Sequence, residues 1–127
     1  MTLDASGNLL VGTTSSNSGS SGLKIAGPVA FTGATGFIGN YTVTASDTWL
    51  TGYSLTGTVT ITLPTPSTNV GRFLFIRTQS NFAINSASSN VTTLAGGAAT
   101  TSILSATAGK WAILFCDGSY WNIFAAN

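Results

Sequence analysis

The C-terminal end of the chain predicts a β-hairpin. Two runs of apolar and aromatic residues, Trp111–Cys116 and Tyr120–Phe124, flank the dipeptide Asp117–Gly118. An Asp-Gly pair between such runs is the strongest short-range hairpin signal that a sequence offers. The rest of the chain repeats this pattern, with short runs rich in Thr, Val, Ile and aromatic residues separated by Gly, Ser and Asn. The hairpin therefore indicates an all-β fold.

Alternation and spacing extend this prediction over residues 41–127. Thr58–Leu63 alternates strictly and places Val59, Ile61 and Leu63 on one face of a strand. Phe73–Ile76 is apolar on both faces, so we expect a central strand or an interface strand there. Strand signals recur about every 8 to 12 residues, and no helical period is sustained. We expect an antiparallel β-sandwich or jelly-roll-like domain.

Residues 1–40 have a different composition. Residues 12–22 are a run of Gly, Ser, Thr and Asn without an apolar side chain, which is typical of a flexible linker. The short apolar runs on either side are too small for an independent core. We therefore predict an extended N-terminal arm over 1–40, which becomes ordered on a partner or on neighbouring subunits, followed by the β domain over 41–127.

Charged residues are scarce. They make up 6% of the 127 residues, and the net charge is +1, whereas soluble domains usually contain about 25%. Because monomers normally keep surface charge for solubility, we interpret this composition as a sign of assembly. The four cations are scattered, so we expect no nucleic-acid partner. No window is apolar enough for a membrane span and the N-terminus has no secretory pattern, so we expect no membrane association.

Few residues are suited to catalysis or metal binding. The chain has no His and no Glu, which excludes a Ser-His-Asp triad. Cys116 lies in an apolar strand and is expected to be a buried, inert thiol. Asp47 and Asp117 are best explained as turn residues. We therefore predict a protein that is not an enzyme and has no metal site and no cofactor.

One segment is similar to a cofactor-binding motif. Phe31–Gly39 resembles the Gly-rich nucleotide-binding turn of extended short-chain dehydrogenases and epimerases. Its context argues against that function, because the helix that must follow is replaced by the strand-like Asn40–Thr44. Asp47 comes too early to bind a ribose, and neither lysine has a Tyr four residues before it. We interpret the segment as a Gly-rich connection between strands.

Large aromatic side chains are the main candidates for binding. Arg72 and Arg77 flank the Phe73–Ile76 strand and have few acids to pair with, which favours contacts with other subunits. One interpretation is a sugar-stacking platform made of Trp49, Tyr53, Trp111, Tyr120 and Trp121. The apolar strands that contain Trp111 and Trp121 favour a role in the core or in a subunit interface instead. The candidate interface residues are Trp49, Phe73, Phe75, Trp111, Phe115 and Trp121.

Two segments resemble a known class of proteins. Leu3–Thr14 is similar to a segment common in tail-fibre and appendage proteins of tailed bacteriophages, especially those of marine and cyanobacterial hosts. Thr62-Leu63-Pro64, Gly71-Arg72, Ile76-Arg77 and Asp117-Gly118 with Trp121 and Ile123 are similar to a small β domain of phage fibres and head decorations. The resemblance implies a virion structural protein that forms a homotrimer and has no catalytic residues.

Within this class we expect a capsid decoration (cement) protein. A compact subunit with a flexible arm suits a trimer that clamps the major capsid protein on the capsid exterior. The first alternative is a short tail fibre or receptor-binding appendage domain. The second is a carbohydrate-binding adhesin module that recognises a host surface glycan through its Trp and Tyr side chains.

Overall fold

A computed structural model describes residues 33–127 and two short strands near the N-terminus. The chain divides into two compact units, Met1–Ala30 and Phe31–Asn127. In the first unit, β1 (Thr2–Leu3) and β2 (Leu9–Leu10) form an antiparallel pair. The predicted linker over 12–22 lies outside the described residues.

In the described part of the second unit, strands are the main regular structure and no α-helix occurs, which confirms the all-β prediction. A single 3₁₀ turn occupies Pro66–Thr68. The strands are β3 (Thr35–Phe37), β4 (Tyr41–Thr42), β5 (Trp49–Gly52), β6 (Val59–Thr62), β7 (Phe73–Thr78), β8 (Ile84–Ser86), β9 (Val91–Thr92), β10 (Ser102–Leu104), β11 (Trp111–Cys116) and β12 (Trp121–Ala126).

These strands form two sheets. The larger sheet has the order β3-β5-β7-β11-β12-β9, and the smaller has the order β10-β8-β6-β4. From β3 to β8, consecutive strands alternate between the two sheets, and neighbours within each sheet are parallel. Parallel neighbours need a long crossover connection, usually a helix; here each crossover contains a strand of the other sheet.

The prediction of antiparallel pairing is therefore wrong for β3 to β8. It holds for the pairs β7–β11, β11–β12 and β8–β10, whereas β12 and β9 are parallel. The parallel pairs also differ from a jelly roll, whose strands are antiparallel. Alternation within a strand reports which face is buried, but it carries no information about the direction of the neighbouring strand.

The predicted faces of individual strands are confirmed. Val59, Ile61 and Leu63 are all buried, as strict alternation requires. β7 lies between β5 and β11 and buries Leu74 and Ile76, so it is the central strand expected from its two apolar faces. Buried residues of both sheets belong to one hydrophobic cluster.

The β domain begins earlier than the predicted boundary at residue 41. β3 (Thr35–Phe37) pairs with β5, and Phe37 is buried in the core cluster. The bend at residues 38–39 is followed by strand β4 rather than by a helix. This part of the Gly-rich segment is thus a connection between strands, as expected.

The C-terminal hairpin is confirmed, with a longer loop than a two-residue turn. Cys116 pairs with Trp121, so four residues connect the strands. The Asp117 Oδ1 atom accepts hydrogen bonds from the backbone N–H groups of Ser119 and Tyr120, both at 2.8 Å. Gly118 has a φ of 97°, a conformation that favours glycine. Asp117 is therefore a loop-capping residue, and the bonds from Tyr120 and Ser119 hold its pKa below the usual value.

Candidate functional site: an aromatic face of the larger sheet

Five of the six candidate interface residues lie on the outer face of the larger sheet. β5, β7 and β11 are neighbours in this sheet, and their outward side chains meet in register. The Trp49 ring stacks on Phe75 with centroids 5.3 Å apart, and the rings of Phe73 and Phe115 lie 5.0 Å apart. We call this surface the aromatic face; it consists of Trp49, Phe73, Phe75, Trp111 and Phe115.

The aromatic face is open to solvent. Trp49 is 44% exposed, Phe73 is 45% exposed and Trp111 is 38% exposed. Exposed aromatic groups that touch one another form a contiguous apolar patch, which in soluble proteins marks an interaction site when it exceeds a few hundred Å². The role of these five residues in an interface stays a prediction; their position on one surface is an observation.

Trp121 does not belong to this surface. Its side chain is fully buried, and its Nε1–H donates a hydrogen bond of 2.9 Å to the carbonyl oxygen of Pro64. The indole fills the core because alternation along β12 turns this position inward, and Trp121 belongs to the hydrophobic cluster that both sheets share. Trp121 is thus a core residue. Its burial also means that the alternative set for sugar stacking does not form one exposed platform.

A cleft of about 470 Å³ opens on the aromatic face. The side chain of Arg77 contributes to its lining and makes no hydrogen bond or ion pair with any described residue. Among residues 33–127, no carboxylate lines the cleft. It is therefore an apolar groove with one cation. The lining residues are Trp49, Phe75, Ile76, Arg77, Gly109, Trp111, Ala112 and Ile113.

Phe124 extends the apolar surface next to this cleft, and the sequence analysis did not select it. The register between β11 and β12 shifts so that Ile113 pairs with Ala125 and Leu114 pairs with Ile123. Phe124 is left between these pairs as the extra residue of a β-bulge, and it is 70% exposed. Alternation from a buried Trp121 places Phe124 outward, so the signal exists once the orientation of Trp121 is known.

A second cavity, of about 410 Å³, lies where the aromatic face meets the turn before β5. It is lined by Ala45, Asp47, Thr48, Arg72, Phe73 and Phe75. Arg72 donates hydrogen bonds of 2.6 Å and 2.7 Å to the carbonyl oxygens of Thr44 and Asp47. The guanidinium therefore holds this turn against β7 through contacts within the chain.

Asp47 organises the turn between β4 and β5, as predicted for a turn residue. Its Oδ2 atom accepts hydrogen bonds from the Thr44 backbone N–H at 2.7 Å and from the Tyr41 hydroxyl at 2.9 Å, while Oδ1 accepts one from Thr35 at 2.8 Å. Burial alone would raise the pKa of Asp47, but the bonds from Thr44, Thr35 and Tyr41 bring it below the usual value. The same contact with Asp47 raises the pKa of Tyr41. Both oxygens of the ionised carboxylate thus accept hydrogen bonds that hold the turn in place.

The part of the chain that the structure describes contains few other side chains suited to catalysis or metal binding. Over that part, no three or more His, Cys, Asp or Glu side chains gather as a metal site would require. Cys116 is fully buried, and its thiol donates to the carbonyl oxygen of Pro66 at 3.3 Å. Within the described residues, no helix has the length and apolarity needed to cross a membrane.

Comparison with known proteins identifies no relative: no family model, no curated protein and no solved structure matches this chain. Function is therefore inferred from the site and from the sequence. The one extended surface feature on residues 33–127 that calls for a partner is the aromatic face with its cleft.

Proposed function

We propose that this protein is a structural component of a phage virion, and specifically a capsid decoration protein that stabilises the head as a homotrimer. The aromatic face carries the proposal. It exposes three large aromatic side chains by more than a third of their surface, in a chain with 6% charged residues. Burial of such surface yields about 25 cal/mol per Å², and little charge repulsion opposes the packing of many copies.

The remaining parts of the proposal follow from the same reasoning. The two sheets share one hydrophobic cluster, which supports a sandwich-like arrangement. We propose that residues 1–40 act as an extended arm that contacts the major capsid protein, and that the protein sits on the capsid exterior. No catalytic step is proposed.

Copy number per particle tests this function. Quantitative mass spectrometry of purified virions should give this protein in a fixed ratio to the major capsid protein, at hundreds of copies. A few to a few dozen copies would contradict the decoration role and indicate a fibre or tip. Complete absence from virions would overturn both and favour a glycan-binding adhesin, which a glycan array with the Trp49→Ala variant as control would then test.

One observation favours a tail-fibre domain as the alternative. β3 and β4 are consecutive in sequence, and each is an edge strand of its sheet. Both pair in parallel with the strand on their inner side, so further strands of the same kind can add at these edges. A fibre would use this property to extend along an axis, whereas a decoration protein has no need of it.

Truncation provides a prediction about the arm. Deletion of residues 1–22 should leave the β domain folded, because both sheets are formed by strands from β3 onward. The truncated protein should show the circular dichroism and unfolding midpoint of the β domain in the full chain. If the arm holds the capsid, the truncated protein should no longer co-sediment with capsids. Undiminished co-sedimentation would refute the role of the arm.

A further inference from the structure

The outer side of the larger sheet carries a projecting side chain close to the cleft in the aromatic face. The projecting side chain is Phe124, which the β-bulge presents to solvent at 70% exposure. The cleft lies between β5, β7 and β11 and is bounded by Trp49 and Trp111. Bulges commonly redirect a side chain toward a functional site.

We propose that Phe124 of one copy inserts into the cleft of a second copy, so that subunits join through this side of the larger sheet. This inference rests on the proposed self-association and specifies its contact. The cleft volume of about 470 Å³ exceeds that of a phenyl side chain, and its walls are indole and phenyl rings. Aromatic pairs of this kind add about 0.5 to 1.5 kcal/mol beyond the burial of their area.

The occupant is a second copy because the complementary surface is on the same chain. The exposed aromatic side chains on this side of the larger sheet are Trp49, Phe73, Trp111 and Phe124; together they expose roughly 400 Å², since each such side chain presents about 150 to 250 Å² in total. A standard interface buries about 800 Å² per partner. The aromatic groups thus supply about half of this area.

Charge supports the same occupant. Arg77 is the one charged side chain among the residues that line the cleft. An acidic partner could pair a carboxylate with Arg77, but it would bring no apolar group to the aromatic side chains that form the rest of the cleft. A second copy brings an uncharged phenyl ring to these side chains. Such a contact is reciprocal in a dimer with twofold symmetry and runs from each subunit to the next in a ring such as a trimer.

A double-mutant cycle separates a contact between copies from an effect within one chain. Within a chain, Trp49 on β5 and Phe124 on β12 are separated by β7 and β11, a distance of about 14 Å at the usual strand spacing. Substitutions that far apart are additive when they act within one chain. Non-additive effects on association therefore indicate that Phe124 meets Trp49 of another copy.

The experiment measures the dissociation constant of the full chain by sedimentation equilibrium. Phe124→Ala and Trp49→Ala should each weaken association roughly 30-fold, as expected of an interface hot spot. The double variant should be weakened little further. Phe124→Leu should recover most of the affinity, and Leu94→Ala, which truncates an apolar side chain that is 60% exposed in a loop, should leave association unchanged. Circular dichroism verifies that each variant is folded.

Three results would overturn the inference. If Phe124→Ala associates as the unsubstituted protein does, the phenyl ring is not in the interface. That result would still be compatible with a trimer that forms through another surface. If the two single effects simply add, Phe124 and Trp49 do not meet. A monomer at all concentrations would refute self-association itself, while the copy number in virions would still decide the virion role.

Discussion

Replacement of Trp121 by alanine should lower the free energy of unfolding by about 3 to 5 kcal/mol, the usual cost of truncating a buried aromatic side chain to alanine. Trp121 is fully buried, and it is the largest of the fully buried side chains. Its removal would leave a cavity between the sheets and would also leave the carbonyl oxygen of Pro64 without the hydrogen bond from Nε1. The loss is of the same order as the total stability of many domains.

Urea unfolding of Trp121→Ala, followed by circular dichroism, measures this effect. Trp111→Ala is the matched control, because it removes the same side chain from the neighbouring strand at a position that is 38% exposed. Trp121→Phe should fall between the two, since it keeps much of the buried volume and loses the hydrogen bond. Equal destabilisation by Trp111→Ala and Trp121→Ala would contradict the placement of these two indoles on opposite faces. All measurements need one protein concentration, because association adds to apparent stability.

The positions of the strands were predictable from the local pattern, but which of Trp111 and Trp121 is buried in the core was not. Both lie in apolar runs on either side of the Asp117–Gly118 turn. Cys116 and Trp121 pair on the buried face of the hairpin, and Trp111 faces outward because it lies five residues before Cys116. Any loop with an even number of residues places the two indoles on opposite faces, but the local pattern does not say which of them meets the core. Asp117 selects the four-residue loop by accepting two backbone hydrogen bonds within it. A change of one residue in register would exchange the faces.

Strand direction was not predictable from the alternation alone. Alternating side chains define a face in parallel and antiparallel sheets alike. The sequence nevertheless contains one sign, at β3 and β4, that consecutive strands belong to different sheets. Phe37 and Val43 are six residues apart and both are buried. Phe37 ends β3 of the larger sheet, and Val43 directly follows β4 of the smaller sheet. Such a short spacing is too small for two strands of one parallel sheet, which need a crossover of a dozen or more residues.

The candidate surface was predictable in outline because β7 is apolar on both faces. Leu74 and Ile76 enter the core, so Phe73 and Phe75 must lie outside or beneath another subunit. The neighbouring strands place their paired residues beside them: Trp49 of β5 lies opposite Phe75, and Phe115 of β11 lies opposite Phe73. The cleft and the position of Phe124 depend on the bulge in β12, and no turn or breaker residue at that point in the sequence marks a bulge.

Asp47 gives the second large expected effect. Replacement of Asp47 by alanine should destabilise the protein by about 2 to 4 kcal/mol, because hydrogen bonds to a charged group are worth about 1.5 to 3 kcal/mol and their donors lose their acceptor together. The donors are Thr35, Tyr41 and the backbone and side chain of Thr44. Asp47→Asn keeps the shape and part of the accepting capacity, so it should be destabilised less.

The dependence on pH distinguishes the charge of Asp47 from its shape. Its pKa is lowered in the folded protein, so the folded state binds this proton less readily than the unfolded state does. The stabilisation is complete above the unfolded-state pKa of about 3.9 and is lost as the pH falls from there through the lower folded-state pKa. Urea unfolding between pH 6 and pH 2 should therefore show a smaller decline for Asp47→Asn than for the unsubstituted protein.

Asp117→Asn is the matched control for this prediction. The pKa of Asp117 is also lowered, by the hydrogen bonds from Tyr120 and Ser119, but its side chain is in the exposed loop of the hairpin. Solvent screens such a group, so the substitution should reduce the acid dependence less than Asp47→Asn does. An unchanged acid slope in Asp47→Asn would mean that this carboxylate does not hold the turn. The position of Trp49, which follows that turn directly in β5, would then need another explanation.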